Sequence, residues 1–413
     1  MSTSTDPSRQ RRAAAMRFIL CLGLVSLFAD MTYEGARAIV GPYLQVLGAS
    51  GWELGLVVGL GEMCAASLRY FTGKLADRSR AYWTLAISGY VVNLLVVPAL
   101  AFVGSWQVAA LLVIAERTGK ALRGPARDVL LSEATAEVGH GWGFGIHTAM
   151  DQTGAVLGPL WVALAVAREH GFRQAFLPLA IPAIAALTAL LVARSVAWNR
   201  TPPRTPEAAP TQVLPRVFWL YVAAAGLLAF GYLDFPFFAY YWVKQSLFAD
   251  PAIPLLYAAA MGIEGLCGLV LGRLYDRCGL FMLSAATVVS LFALPLGFFG
   301  GRRAALAAIV CWAVGTGAQS ASLRSGIATV VSMNKRGTAF GAFNGVWGVS
   351  WFAGSALMGL LLDHSRLALV ILGVGAQAAS AIVFLWLRPR LAAARHGSWI
   401  TTVREAQPED PHA

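Results

Sequence analysis

Charge is what this chain of 413 residues has least of. Only 13% of it is Asp, Glu, Lys or Arg, and 57% is apolar. A soluble domain carries about a quarter charged residues, so a water-soluble globule is excluded. Cysteine is scarce and scattered. Cys21, Cys64, Cys267, Cys278 and Cys311 form no Cys-x-x-Cys and have no histidine at ligand spacing. A disulfide framework and a metal site are therefore not expected, and the five read as small apolar residues. Also missing are His-Glu-x-x-His and Gly-x-Ser-x-Gly. Without them nothing supplies a reactive centre, so neither an enzyme nor a cofactor is expected.

Long apolar runs are abundant instead. Twelve segments lie at roughly 17–43, 52–73, 82–103, 106–125, 143–166, 174–196, 216–242, 254–274, 279–299, 303–323, 338–361 and 366–387, most near the ~20 residues that span a bilayer. The net charge of +11 would suggest nucleic acid for a soluble protein. Its placement argues otherwise. With the amino terminus inside, Arg9, Arg11, Arg12, Arg78, Arg200, Arg277, Lys335 and Arg388 fall on the cytoplasmic side, while Arg168, Lys244 and Arg302 face outward. That is the positive-inside bias of a multi-pass membrane protein. It puts both termini in the cytoplasm and the chain in a bacterial inner membrane, with the bilayer as partner and no nucleic acid. The basic start before Phe18 lacks a small-x-small cleavage site, so the first segment reads as a retained helix.

The segments repeat. Gly73-Lys74-Leu75-Ala76-Asp77-Arg78 returns as Gly272-Arg273-Leu274-Tyr275-Asp276-Arg277, an offset of 199. Phe144-Gly145 returns as Phe340-Gly341, and Gly158 as Gly354, at offsets of 196. Two related membrane halves around a central path are the architecture of a transporter. The fold class is therefore all-α, with twelve transmembrane helices in two pseudo-symmetric six-helix bundles. The bundles cover 1–197 and 216–390, with a proline-rich cytoplasmic linker at 198–215 and a polar tail at 391–413. Segments three, six, nine and twelve carry no ionisable residue in their interiors, which assigns them to lipid.

These motifs resemble the major facilitator superfamily along essentially the whole chain. The loop pattern Gly-x-x-x-Asp-Arg is matched by Gly73, Asp77 and Arg78 and again by Gly272, Asp276 and Arg277. The resemblance implies a gating loop that latches one alternating-access state, its Asp meeting a helix end where the macrodipole favours it. Gly145, Gly154, Gly158 and Pro159 are similar to the fifth-helix motif of drug:proton antiporters, although Val162-Ala163 stands where that motif closes on Gly-Gly. Glu116 to Asp128 and Asp234-Phe235-Pro236 look like a bacterial subgroup of the superfamily.

Charges inside the spans are costly, at about 2.5–3.5 kcal/mol each on insertion scales, and mark candidate sites. Asp30, Glu34 and Arg37 share one face of the first helix, where Glu34 and Arg37 are spaced to neutralise each other. Glu62 and Arg69, then Glu116, Lys120 and Arg123, form further stripes, and His147 lies one turn from Asp151. These are the candidates for ion pairing and proton coupling. The second half is less charged and more aromatic. Tyr232, Asp234, Phe235, Glu264 and Gln319 are its candidates for a substrate cavity. Proton-coupled export of a small organic molecule by a monomer is the preferred reading. Proton-coupled import of a nutrient or metal chelate, and a non-transporting sensor, are the alternatives.

Overall fold

The computed structural model describes residues 7–169, 171–196, 214–331 and 336–405. Among these the regular structure is all helical. The first half holds α1 (Pro7–Val46), α2 (Gly51–Ser79), α3 (Tyr82–Ala99), α4 (Trp106–Val138), α5 (His140–Glu169) and α6 (Ala180–Ser195). The second holds α7 (Arg216–Gly231), α8 (Phe235–Lys244), α9 (Ala252–Cys278), α10 (Leu280–Leu291), α11 (Ala293–Phe299), α12 (Arg302–Val330), α13 (Arg336–His364) and α14 (Arg366–Glu405). α7 with α8, and α10 with α11, are interrupted single passes. The chain thus crosses twelve times among the described residues and returns to the face on which it began. We call that face, which also carries both Asp-Arg motifs, proximal, and the opposite face distal.

Eleven passes are long and apolar enough to cross a membrane among the described residues. The twelfth, α4, has 33 residues but carries Glu116, Arg117, Lys120, Arg123 and Arg127 in its middle. Residues 198–213 of the expected linker lie outside the described residues. The stretch expected as a polar tail is helical as far as Glu405, because α14 continues through Pro389. The Gly73–Arg78 motif is not a loop either. It occupies the last turns of α2, which ends where Arg80 turns left-handed (φ 53°) and its N–H meets Ala76 O.

Small residues set the packing within each half. A Cβ on Gly154 or Gly158 of α5 would strike the carbonyl oxygens of Leu27 and Met31 on α1. In the second half, a Cβ on Gly354 of α13 would strike Phe230 O of α7. Close helix approach at small residues is how membrane helices gain van der Waals contact. Gly145 stands apart, with nothing within 4 Å of its added Cβ, so it does not share the packing role of the other two. α5 continues unbroken through Pro159.

The seventh pass breaks at Tyr232–Asp234, which the apolar run conceals. Asp234 caps α8 by accepting Phe235 N–H, and Pro236 sits in the first turn. A proline there has no N–H to continue the ladder from α7. The freed carbonyls find side chains: Trp312 Nε1 donates to Leu233 O and Gln377 Nε2 to Gly231 O, both at 2.9 Å. In a bilayer such irregular backbone survives only where protein satisfies it.

Large apolar side chains are exposed along the outer passes, among them Leu95 of α3, Ile184 of α6, Phe281 of α10 and Ile371 of α14. The two halves meet on the distal side. Gly51, Gly55 and Gly359 bring α2 and α13 into backbone contact, and a Cβ on Gly41 of α1 would meet Pro236 O. Tyr240 Oη donates to Ala49 O at 3.1 Å, and the Asp363 carboxylate accepts Gly51 N–H and Trp52 N–H at 2.9 Å each. Toward the proximal face the packing loosens. From Gly262 to Leu274 no residue of α9 is buried, and from Glu62 to Leu75 of α2 only Ala65 is. The bundle is closed distally and open proximally.

Candidate functional site

A cavity of about 510 Å³ lies between the halves. Its walls come from α1, α2, α5, α9, α12, α13 and the break in the seventh pass, and no residue of α3, α6, α10, α11 or α14 contributes. The four outer passes expected to face lipid are absent from it, as is α4.

One wall is a chain of alternating charges. Arg37 Nη2 bridges Asp234 Oδ2 at 2.6 Å and Glu62 Oε1 at 3.3 Å. Arg117 continues from Glu62 (3.4 Å) to Glu116 (3.2 Å), and Asn93 Nδ2 donates to Glu116 Oε1 at 2.7 Å. Glu34 is held separately, by Lys120 Nζ at 3.6 Å and by the Tyr257 hydroxyl, which donates at 2.6 Å. The expected Glu34–Arg37 pair is therefore not formed. Partners on other helices outcompete it: Arg37 turns to the second half and Glu34 to α4 and α9. Two of these contacts, Arg37–Asp234 and Tyr257–Glu34, cross between halves at the cavity. A charge withdrawn from water needs such pairing, and removing one member strands the other.

Asp30 is 7% exposed and accepts the Tyr33 hydroxyl at 2.5 Å. It is in no salt bridge among the described residues. Lys120 Nζ lies 3.9 Å from the Tyr33 ring centre, and Arg123 stacks on Tyr90 at 4.4 Å. Arg123 is 2% exposed, so its charge is spent inside the first half and not at the cavity. A second cluster sits nearer the proximal face. His147 bonds Ser26 Oγ at 2.9 Å and lies 3.7 Å from Asp151, which is 3.9 Å from Arg127.

Of the residues singled out from sequence, Asp30, Glu34, Arg37, Glu62, Arg69, Tyr232, Asp234, Glu264 and Gln319 line the cavity. Glu116, Lys120, Arg123, His147 and Asp151 stand behind the wall in the first half. Phe235 does not reach the cavity. It is fully buried, its ring 4.7 Å from Tyr257 and 6.1 Å from Trp312 between centroids, where it backs the aromatic wall. Asp77 and Asp276 are exposed, and neither is in a salt bridge among the described residues. Asp77 lies at the C-terminal end of its own helix, in the last turn of α2.

Sequence reasoning missed several members. Trp312, Trp347 and Trp351 line the cavity, with Tyr257 completing the wall. The spacing of Trp347 and Trp351 by one helical turn was the available signal. Asp363, the distal contact, had none. Among the described residues no three His, Cys, Asp or Glu side chains are grouped to hold a metal.

Comparison with known proteins gives this geometry a family. The model described as Major Facilitator Superfamily matches residues 22–355. An uncharacterized protein of Mycobacterium tuberculosis is 37% identical over 388 residues, spanning 92% of this chain and 95% of its own length. Among solved structures, a mutant of the nucleoside transporter NupG aligns with a TM-score of 0.74 at 14% identity, covering 90% of this chain and 99% of that one. The peptide transporter POT in complex with sulfate aligns with a TM-score of 0.71 at 16% identity, covering 94% and 99%. At these identities the solved structures share the fold.

Proposed function

This chain belongs to the Major Facilitator Superfamily, and we propose that it exports a small organic molecule by alternating access in exchange for protons. The observation that carries this reading is the double engagement of Arg37. It pairs at once with Glu62 of its own half and Asp234 of the other, beside a cavity sealed distally and open proximally. Opening the distal side requires the halves to part there, which pulls Arg37 from Asp234. A buried carboxylate parted from its arginine is an uncompensated charge, which a proton can neutralise. Domain rocking and proton binding are thereby linked through one contact. Asp30 and Glu34 stand on the same face of α1 and are the further carriers in this scheme.

Two features support export. The Gly154-x-x-x-Gly158-Pro159 pattern is similar to that of drug:proton antiporters, and the open cavity faces the side on which Arg9, Arg11, Arg12, Arg78 and Arg277 are concentrated. By the positive-inside rule that side is the cytoplasm, so in the proposed cycle this is the state that loads cargo from within the cell. A single copy contains the whole cavity, so the proposed working unit is the monomer in the inner membrane.

The test is transport by the purified protein in vesicles against a panel of small organic compounds, with an imposed proton gradient. Cargo moving against the direction of proton flow is the expected result. Cargo moving with protons would replace export by import, and movement indifferent to the gradient would remove the coupling. Asp30→Asn and Glu34→Gln are expected to weaken coupling; unchanged coupling in both would remove them as carriers.

A further inference from the structure

The two walls of the cavity differ in how their charges are compensated. Glu34, Glu62 and Asp234 each have a basic side chain within 4 Å, and Asp30 beside them accepts the Tyr33 hydroxyl at 2.5 Å, with Lys120 over that ring. Glu264, on the opposite wall, has no basic side chain that near among the described residues. Its contact there is the Ser320 hydroxyl, which donates at 3.2 Å. Tyr257, Met261 and Glu264 recur at helical spacing on α9 and all three line the cavity. A carboxylate held in a bilayer-depth cavity with one neutral donor is costly unless a proton neutralises it or something cationic completes it.

Its surroundings specify what kind of cation. Aromatic rings follow one another around this wall: Tyr257 to Trp312 at 6.4 Å, Trp312 to Tyr232 at 6.3 Å, Tyr232 to Trp351 at 6.1 Å and Trp351 to Trp347 at 5.7 Å between centroids. Ring faces attract cations through their quadrupole and stack on flat apolar bodies. The rings are held in place from behind, since the Tyr232 hydroxyl bonds Trp312 O and Thr316 Oγ1 and the Trp312 indole donates to Leu233 O. A preorganised wall holds its rings in place for a ligand at little entropic cost. Gln319 adds a buried amide N–H without a hydrogen-bond partner among the described residues, a donor suited to an acceptor on the ligand's body and not to its cationic centre. The about 510 Å³ available falls in the range that encloses drug-sized molecules.

We propose that this wall is the substrate subsite and that it takes organic cations with a flat aromatic body, Glu264 supplying the counter-charge. The inference rests on the transporter reading above but not on its coupling or direction. Arg37, across the cavity, does not repel such a ligand at full strength, because Asp234 and Glu62 neutralise it.

Binding to the purified protein without any proton gradient tests this, with quenching of tryptophan fluorescence as readout and equilibrium dialysis as check. Three probes of one shape are compared: N-methylquinolinium as cation, 1-methylnaphthalene as neutral isostere and naphthalene-1-sulfonate as anion. The wild type is expected to bind the cation about tenfold more tightly than the neutral probe, with the anion weakest. Glu264→Gln is expected to weaken the cation about tenfold and leave the neutral probe within about twofold, while Glu264→Asp retains part of the preference. Preserved binding of the neutral probe shows that the variant is folded. Equal affinity for cation and neutral probe in the wild type, preference for the anion, or unchanged cation binding in Glu264→Gln would each overturn the proposal. If Glu264→Gln does not fold, Trp347→Leu replaces it; unchanged cation binding there would count equally against the site. Cation binding without proton-driven movement would sink the coupling and leave the subsite standing. Proton-driven movement of an anion would do the reverse.

Discussion

Replacing Asp363 by alanine should open the distal side. Its carboxylate accepts Gly51 N–H and Trp52 N–H at 2.9 Å each, the first two amides of α2, across the seam between halves. These amides have no intrahelical partner, and the positive end of the α2 dipole points at the carboxylate. Ser50 already caps the same helix with Glu53, so Asp363→Ala leaves α2 formed and removes only the contact between halves. Loss of a helix-capping acceptor costs about 0.5–2 kcal/mol and the charge–dipole attraction about 0.3–1 kcal/mol. Asp363 is exposed, which screens the charge and argues for a total of about 1–2 kcal/mol. The closed-to-open equilibrium should then shift by about five- to thirtyfold. Asp363→Asn keeps an acceptor and loses the charge, so a shift of about two- to fivefold is expected. Ser355, 1% exposed and two turns deeper on α13 beside Gly55, is the reporter. As Ser355→Cys, in a background with the five native cysteines replaced, it reacts with a bulky maleimide added from the distal face only when the seam parts. Its labelling rate should rise in the order wild type, Asp363→Asn, Asp363→Ala. Equal rates in all three, or an equal rise in the control Asp276→Asn on the proximal face, would refute the latch.

Other contacts make shorter predictions. Arg37→Met strands Asp234, which is 2% exposed, and should cost about 3–5 kcal/mol of stability, seen as a lower melting temperature in detergent. Adding Asp234→Asn should recover much of that loss; equal melting of the single and double variants would show that the pair is not coupled. Gly158→Val drives a Cβ into Met31 O and should destabilise the fold by about 1–3 kcal/mol or more. Gly145→Ala meets open space and should be neutral or stabilising by up to about 1 kcal/mol. Equal effects at the two positions would contradict the packing assigned to the fifth helix.

Which features the sequence disclosed follows from how local each one is. A membrane helix satisfies its own backbone, so twelve apolar segments translate directly into twelve passes. The hexapeptide and glycine repeats located matching positions in the halves for the same reason. The break at Tyr232–Asp234 needed chemistry as well as hydropathy. Asp234 as a cap followed by Pro236 spelled a helix start inside an unbroken apolar run, but the run concealed it. The charged pairs were the least legible. Glu34 and Arg37 have good spacing along α1, yet spacing cannot rank a neighbour on the same helix against Lys120, Tyr257 or Asp234 arriving from elsewhere. Asp363 illustrates the limit. A single acid at a helix end acquires its role only when another helix presents two open amides to it.

That contact also explains why the same helix pair carries an acidic residue at each end. α2 runs from the distal to the proximal face and α13 runs back beside it. Each therefore sets its C-terminal end beside the N-terminal end of the other. Asp363, at the end of α13, meets the α2 amides on the closed side. Asp77, at the end of α2, lies toward the start of α13 on the open side and is exposed. Two carboxylates at opposite ends of one antiparallel pair cannot both reach an opposing helix start if the halves pivot about the pair. The resemblance to the superfamily points to Asp77 alone; the geometry adds Asp363 at the other end of the same pair. The share of Asp363 in holding the distal end shut is what a helix cap is worth, about 1–2 kcal/mol, which is small enough for a proton or a bound ligand to offset.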